Sequence, residues 1–315
     1  MRNKACAYKN KSSVSLARPI MSVAPPVLAL RELSTLFTRP LFAAMAGPYG
    51  EDEARRKLAG LTALMKGPTV ALRELFEQAF TLLEAHYRNE YVFKSALANV
   101  TIPEAIGPGL ASVQVELPVS TSILDVATAA NTTTAFEIKT EFDSARRLES
   151  QTENYLKAFD EVYLVTTETM LPSLSRGLDP RVGLSVLQPD GSFFRARDAV
   201  SNRANLKSRQ VCWGLRQQER IAALERRTGI PLAMPNGILG RYCEEQFASI
   251  PALELHEIFL DAMRKRSDAV LKDGFIHTLP RSLRALGYAT PLSGLARRRL
   301  MATLDIKVAL TLGCD

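Results

Sequence analysis

Two acidic residues and a lysine lie in segments whose composition is typical of β-strands. Asp125 belongs to an apolar run over residues 123–127, and Glu137 and Lys139 follow on either side of Ile138. Because side chains alternate along a strand, Glu137 and Lys139 share one face. An acid within an apolar strand is rare unless it is paired or binds a metal ion. Two carboxylates that converge with a lysine can bind a hard divalent cation, which polarises a phosphate and activates water.

The next segment adds an amide and a phenol. Gln151 and Tyr155 lie one turn apart on the apolar face of a helix that we predict over residues 144–159, with Asp143 as its N-cap. If that face packs on the strands, Gln151 points toward Lys139 and a bound phosphate. The alternative is a core glutamine that satisfies a backbone group.

The elements around these residues follow the order of a mixed α/β domain. Periodicity predicts one long helix over residues 70–97, and after residue 198 the chain is predicted to be helical to its end. Predicted strands cover residues 113–117, 123–128, 134–140, 161–166 and 182–187. Asn131 and the three threonines after it predict a hairpin, which would bring Asp125 beside Glu137.

Charge is unevenly distributed along the 315 residues. The net charge is +7, but residues 70–167 carry −7, whereas residues 1–31 carry +6 and residues 168–315 carry +7. An acidic middle between basic flanks suits a cation site framed by surfaces that attract a polyanion, although uneven surface charge is the alternative. Candidates for phosphate contact are the basic clusters Arg146 and Arg147, residues 264–266 and residues 297–299.

Two classes of protein are disfavoured by composition. The chain has no uncharged apolar run of 18 residues, so we expect no transmembrane helix. The four cysteines are far apart and form no CxxC motif, which argues against a disulfide framework or a structural zinc site. Reduced thiols in a cytoplasm fit this pattern best.

Taken in order, these motifs resemble the PD-(D/E)XK phosphodiesterase superfamily. They are similar in particular to RecB-type members, which have a QxxxY motif after the ExK strand, and to a poorly characterised bacterial family of that superfamily. The resemblance covers about residues 70–210. It is carried by residues 88–94, Glu116 to Val119, Ile123 to Asp125, Glu137 to Asp143, and Arg147 to Tyr155.

The resemblance implies a restriction-endonuclease-like core, with the order α-β-β-β-α-β and a mixed sheet flanked by helices. It implies that Asp125 and Glu137 bind Mg²⁺ or Mn²⁺ together with the Ile138 carbonyl and Glu90. Lys139 would then be catalytic.

Further roles follow from the same resemblance. Gln151 would take part in catalysis near the metal, and Tyr155 would position the substrate. His86, one turn before Glu90, is an alternative to it, since some RecB-type members use a histidine there. Glu116 either faces the site or is a solvated acid at the sheet edge.

These interpretations give a domain plan and an expected activity. We expect a disordered basic leader over residues 1–20, a helical extension over 21–69, the nuclease-like core over 70–200 and a helical region over 201–315. The expected activity is metal-dependent cleavage of DNA, with Arg146 and Arg147 on the phosphate backbone; RNA is not excluded. The alternative is an inactive nucleic-acid-binding or regulatory module on the same fold. The oligomeric state stays open.

Overall fold

The computed structural model describes residues 25–59, 61, 69–105, 112–272 and 274–309. The predicted leader over residues 1–20 therefore lies outside the described residues. None of the described helices has the length and apolar character needed to cross a lipid bilayer.

A six-stranded mixed sheet lies at the centre of the described chain. Its strands, in spatial order, are β2 (Ser112–Val119), β3 (Ser122–Ala129), β4 (Thr133–Ile138), β5 (Glu161–Thr166), β6 (Gly183–Leu187) and β7 (Phe193–Arg197). Hairpins make β2, β3 and β4 antiparallel, whereas β4, β5 and β6 run parallel and β7 pairs antiparallel with β6. The parallel step from β4 to β5 needs a crossover, which α6 (Leu148–Leu156) supplies. The expected α/β class is confirmed.

Helices cover both faces of this sheet. One face packs against α6 and against α8 (Ser208–Gly214), α9 (Gln217–Thr228), α10 (Asn236–Phe247) and α11 (Ala252–Lys272). The other face packs against α5 (Glu90–Ala105) and α13 (Arg284–Ala289). The short helix α7 (Leu171–Leu174) links β5 to β6.

A separate apolar cluster joins the two ends of the described chain. It contains α1 (Val27–Ser34), α2 (Arg39–Met45), α3 (Gly50–Ala59), α4 (Leu72–His86), α12 (Phe275–Thr278) and α14 (Gly294–Leu304). The two-stranded sheet of β1 (Val70–Ala71) and β8 (Lys307–Val308) closes it. Residues from before the sheet and from after it thus share one core beside α5.

The single helix predicted over residues 70–97 is wrong. Helix α4 ends at His86, Tyr87 leaves the helical conformation with φ −150° and ψ 74°, and α5 begins at Glu90. Asn89 accepts the Val92 amide at 3.4 Å through its side chain, which supports a new helix start. His86 and Glu90 consequently lie on different helices.

The predicted start of the helix after β4 is also wrong. A 3-10 turn over Ala145–Arg147 precedes α6, and the Ser144 hydroxyl accepts the Arg146 amide at 3.3 Å. The Asp143 carboxylate instead accepts hydrogen bonds from the Thr140 amide, at 2.9 Å, and from the Thr140 hydroxyl, at 2.7 Å. Asp143 thus closes the turn that leaves β4 and does not cap the helix.

Candidate active site

Strands β3 and β4 part at Asp125. Their ladder runs from the pair Ala129 and Thr133 to the pair Val126 and Phe136. Beyond it, the Ile138 amide donates to Asp125 Oδ2 at 2.9 Å, so a carboxylate replaces the missing backbone acceptor. The N–H and C=O of one strand residue point to the same side, so the Ile138 carbonyl faces the same gap.

Glu137 is buried and held at both carboxylate oxygens. Lys139 Nζ donates to Glu137 Oε1 at 2.5 Å, and the Tyr155 hydroxyl lies 2.8 Å from Oε2. The same hydroxyl lies 3.0 Å from the Ile123 carbonyl on β3. Burial raises the pKa of Glu137, against the opposing effect of Lys139. Burial and the neighbouring Glu137 carboxylate raise the pKa of Tyr155, which keeps its hydroxyl as a donor.

Gln151 reaches the same group from α6. Its side chain is buried on the face of α6 that also carries Tyr155, one turn further along the helix. Its Oε1 atom is buried and finds no donor among the described residues. A buried acceptor without a donor costs about 1–3 kcal/mol. This oxygen is therefore able to accept a hydrogen bond from a ligand.

A second cluster centres on Lys94 of α5. Its ammonium lies 3.3 Å from Asp125 Oδ1, 3.3 Å from Glu116 Oε1 and in contact with Glu90. Arg39 of α2 pairs with the other Glu116 oxygen at 3.0 Å. Burial alone would lower the pKa of Lys94, but Asp125, Glu90 and Glu116 together raise it.

Glu116 adopts a strained backbone conformation to join this cluster. Its φ is 56°, in the left-handed region, which costs a non-glycine residue about 1–2 kcal/mol. The neighbouring pairs, Val115 with Val126 and Leu117 with Leu124, place Glu116 opposite Asp125 across β2 and β3. The Glu116 carboxylate faces Lys94.

The site carries excess negative charge. It contains the carboxylates Asp125, Glu137, Glu90 and Glu116 and the cations Lys94, Lys139 and Arg39, which leave a net charge of −1 when all are ionised. Burial, followed by repulsion from Glu137, raises the pKa of Asp125 to about 7, whereas Lys94 opposes this rise. A desolvated acid pair of this kind is stabilised by an added cation.

The donor atoms suit a hard divalent ion such as Mg²⁺ or Mn²⁺. The Asp125 and Glu137 carboxylates and the Ile138 carbonyl meet at the gap between β3 and β4, and all are oxygen donors. Among the described residues, no three His, Cys, Asp or Glu side chains are grouped closely enough to hold a metal ion. Two carboxylates and one carbonyl still fit such an ion by donor type, and the ion would have to exchange with the chain's own hydrogen-bond donors.

Sequence reasoning missed Lys94 and Arg39. Lys94 lies four residues after Glu90, a spacing typical of ion pairs on one helix face, so a signal for that pair was present. No local signal links Arg39 to Glu116, which lies 77 residues away.

The predicted basic clusters differ in exposure and in hydrogen-bond partners. Arg146 and Arg147 are exposed on the turn before α6. Arg264 donates to the Ala130 carbonyl at 2.8 Å, and Arg266 donates to Glu219 and to the Gly214 carbonyl, each at 2.8 Å. The prediction of phosphate contact is wrong for Arg266, because its side chain is 2% exposed and pairs with Glu219. For the part-buried Arg264 it stays a prediction.

His86 is the last residue of α4. It lines a cavity of about 320 Å³ with Arg88, Glu141 and Glu168, beside the carboxyl ends of β5 and β6. Arg88 donates there to the Leu187 carbonyl at 3.0 Å. The expected one-turn spacing between His86 and Glu90 is wrong because the helix breaks between them, and the role of His86 as an alternative to Glu90 stays a prediction.

Comparison with known proteins identifies the family. Residues 84–286 match the family described as bacteriophage P4 protein cII, a stretch from the end of α4 into α13 that contains the whole six-stranded sheet. Within the site, only Arg39 lies outside it. No curated protein matches the chain, and no solved structure matches it. The match covers well over half of the chain, and this protein belongs to the bacteriophage P4 protein cII family.

Proposed function

We propose that this protein is a metal-dependent nuclease that hydrolyses phosphodiester bonds, most favourably in DNA, on a restriction-endonuclease-like core. The observation that carries the proposal is the convergence of Asp125, Glu137 and Lys139 where β3 and β4 part, with Gln151 and Tyr155 reaching them from α6. The order of elements, α5, β2, β3, β4, α6 and β5, supports the proposed core.

The side chains have distinct tasks in this proposal. Asp125 and Glu137 would hold the Mg²⁺ or Mn²⁺ ion with the Ile138 carbonyl, and the bound ion would polarise a phosphate oxygen and activate water. Tyr155 fixes the Glu137 carboxylate by donating to Oε2. The Lys139 ammonium, which pairs with Glu137 in this structure, would turn to a non-bridging phosphate oxygen and stabilise its growing charge.

One observation favours a second candidate, an inactive nucleic-acid-binding or regulatory module. All four carboxylate oxygens of Asp125 and Glu137 are engaged by Lys94, Ile138, Lys139 and Tyr155. A site closed by its own cations could serve only as a stable scaffold. The two candidates differ in whether the purified protein cuts nucleic acid.

The deciding experiment is incubation with linear DNA, circular DNA and RNA in Mg²⁺, Mn²⁺ or EDTA. We expect cleavage with either metal and none in EDTA. Lys139→Met keeps the aliphatic stem and removes the charge, so cleavage should fall by at least about 10²-fold. Lys157→Met is the matched control, because Lys157 pairs with Glu153 at the end of α6. No cleavage by wild type, or equal cleavage by wild type and Lys139→Met, would leave the binding module as the better account.

A further inference from the structure

Lys94 occupies the position from which a cation would neutralise Asp125. Its side chain is only 8% exposed, and its ammonium contacts Asp125, Glu116 and Glu90. A divalent ion between Asp125 and Glu137 would lie close to this buried ammonium. Repulsion between the two cations in a poorly solvated site would be strong.

Asp125 has no carboxylate oxygen free of a donor. One oxygen accepts the Ile138 amide at 2.9 Å, and the other lies 3.3 Å from Lys94 Nζ. The Ile138 amide is part of the β4 backbone and cannot move far. Lys94 is a long side chain, so it is the partner that can leave.

A cavity and two carboxylates lie next to the Lys94 ammonium. Glu90 and Glu116 already contact Lys94, and both line a cavity of about 410 Å³ that Lys94 and Arg39 also line. Asp125 does not line this cavity. A small movement of the ammonium toward the cavity therefore separates it from Asp125 and retains two carboxylate partners.

We propose that Lys94 is the resident counter-ion of Asp125, that it competes with a divalent cation for this carboxylate, and that Glu90 and Glu116 hold its ammonium when the cation binds. The inference rests on the metal site of the proposed function. It gives Glu90 a positioning role through Lys94, in place of the ligand role that the resemblance implies.

The direct test is the affinity for Mn²⁺ by titration calorimetry, without nucleic acid. Lys94→Met removes the competing charge and frees an oxygen of Asp125, so Mn²⁺ should bind at least about tenfold more tightly than to wild type. Lys157→Met, on the end of α6, should leave the affinity within twofold. Equal or weaker binding by Lys94→Met than by wild type overturns the inference.

A double-mutant cycle separates the two roles of Glu90. Glu90→Gln in wild type should weaken Mn²⁺ binding, because Lys94 then holds Asp125 more firmly. In the Lys94→Met background the same change should cost less than threefold. An equal loss in both backgrounds would make Glu90 a direct ligand and contradict its role as holder of the ammonium.

Arg39→Met provides a second test, because Lys94→Met also removes a cation that three carboxylates share. Arg39 is half-exposed, and its removal leaves Glu116 free to attract Lys94 away from Asp125. Mn²⁺ affinity should rise about two- to fivefold, whereas Arg146→Met should change it less. An unchanged or lower affinity for Arg39→Met counts against the inference.

Mn²⁺ binding and DNA cleavage, measured on the same variants, distinguish a failure of this inference from a failure of the proposed function. If neither wild type nor Lys94→Met binds Mn²⁺, the metal site and the nuclease proposal fail together. If wild type binds Mn²⁺ and cuts DNA, but Lys94→Met and Arg39→Met bind the ion no more tightly, only the counter-ion role of Lys94 is wrong.

Discussion

Asp125 accepts the backbone amide of Ile138 in a 2.9 Å hydrogen bond, at the point where the β3–β4 ladder has ended. One side chain therefore completes the strand hydrogen bonding and supplies a carboxylate to the site. Because the two tasks use different properties of the group, an oxygen acceptor and a charge, they can be separated by substitution.

Asp125→Asn should abolish most metal binding and keep the fold. The amide oxygen can still accept the Ile138 N–H, whereas the charge that attracts the cation is lost. We expect Mn²⁺ affinity to fall at least about tenfold by calorimetry. Asp52→Asn, an exposed acid on α3, is the control. Undiminished Mn²⁺ binding by Asp125→Asn would show that the ion lies elsewhere.

Asp125 should also make stability depend on pH. Its pKa rises to about 7 in the folded protein, above the value of about 3.9 for an unfolded chain. The folded state thus binds the proton more tightly, so this contribution to stability is present below about pH 4 and is lost as the pH rises to about 7. Between about pH 4 and pH 7, the free energy of unfolding measured with urea should fall more for wild type than for Asp125→Asn. Parallel curves would contradict the raised pKa.

Asp160 should give the opposite pH dependence. Although burial opposes it, hydrogen bonds from Ser201, Thr132 and Arg203 lower the pKa of Asp160 to about 2. Its stabilising contribution is therefore present above about pH 4 and is lost as the pH falls toward 2. Asp160→Asn should reduce the free energy of unfolding by about 1–3 kcal/mol at pH 7. The difference from wild type should shrink at pH 3, and a constant difference would refute this account.

Tyr155→Phe tests the support of Glu137. The change removes the donor that lies 2.8 Å from Glu137 Oε2 and 3.0 Å from the Ile123 carbonyl, and leaves a buried carboxylate oxygen unsatisfied. Urea unfolding should show a loss of about 1–3 kcal/mol. Tyr49→Phe is the matched control, because Tyr49 is 71% exposed. Equal stability of the two variants would show that this hydroxyl contributes nothing.

Salt dependence tests Arg146 and Arg147 as phosphate contacts. In the Lys139→Met background, where we expect slow cleavage, DNA affinity measured by fluorescence anisotropy should fall with KCl, with a log–log slope of about −0.9 for each phosphate contact. Replacing both arginines with alanine should make the slope shallower by about 2. Arg241→Ala, in an exposed pair with Glu245 on α10, should leave the slope unchanged. A slope that survives the double substitution would place the DNA elsewhere.

Local patterns in the sequence were sufficient for much of the site. Alternation along β4 puts Glu137 and Lys139 on one face, and helical spacing puts Gln151 and Tyr155 on one face of α6. The hairpin after β3 follows from turn residues in the same way. Such features depend on neighbours a few residues apart, so composition and period predict them.

Tertiary packing decided which charges of different helices and strands meet. Lys94 reaches Asp125 because α5 packs on the face of the sheet where β3 and β4 part. Arg39 reaches Glu116 because α2 lines the same cavity as α5 and β2. Packing also turned Arg266 inward onto Glu219. Sequence shows how many charges a segment carries, but burial and distance determine the strength of each pair, and both exist only in the folded chain.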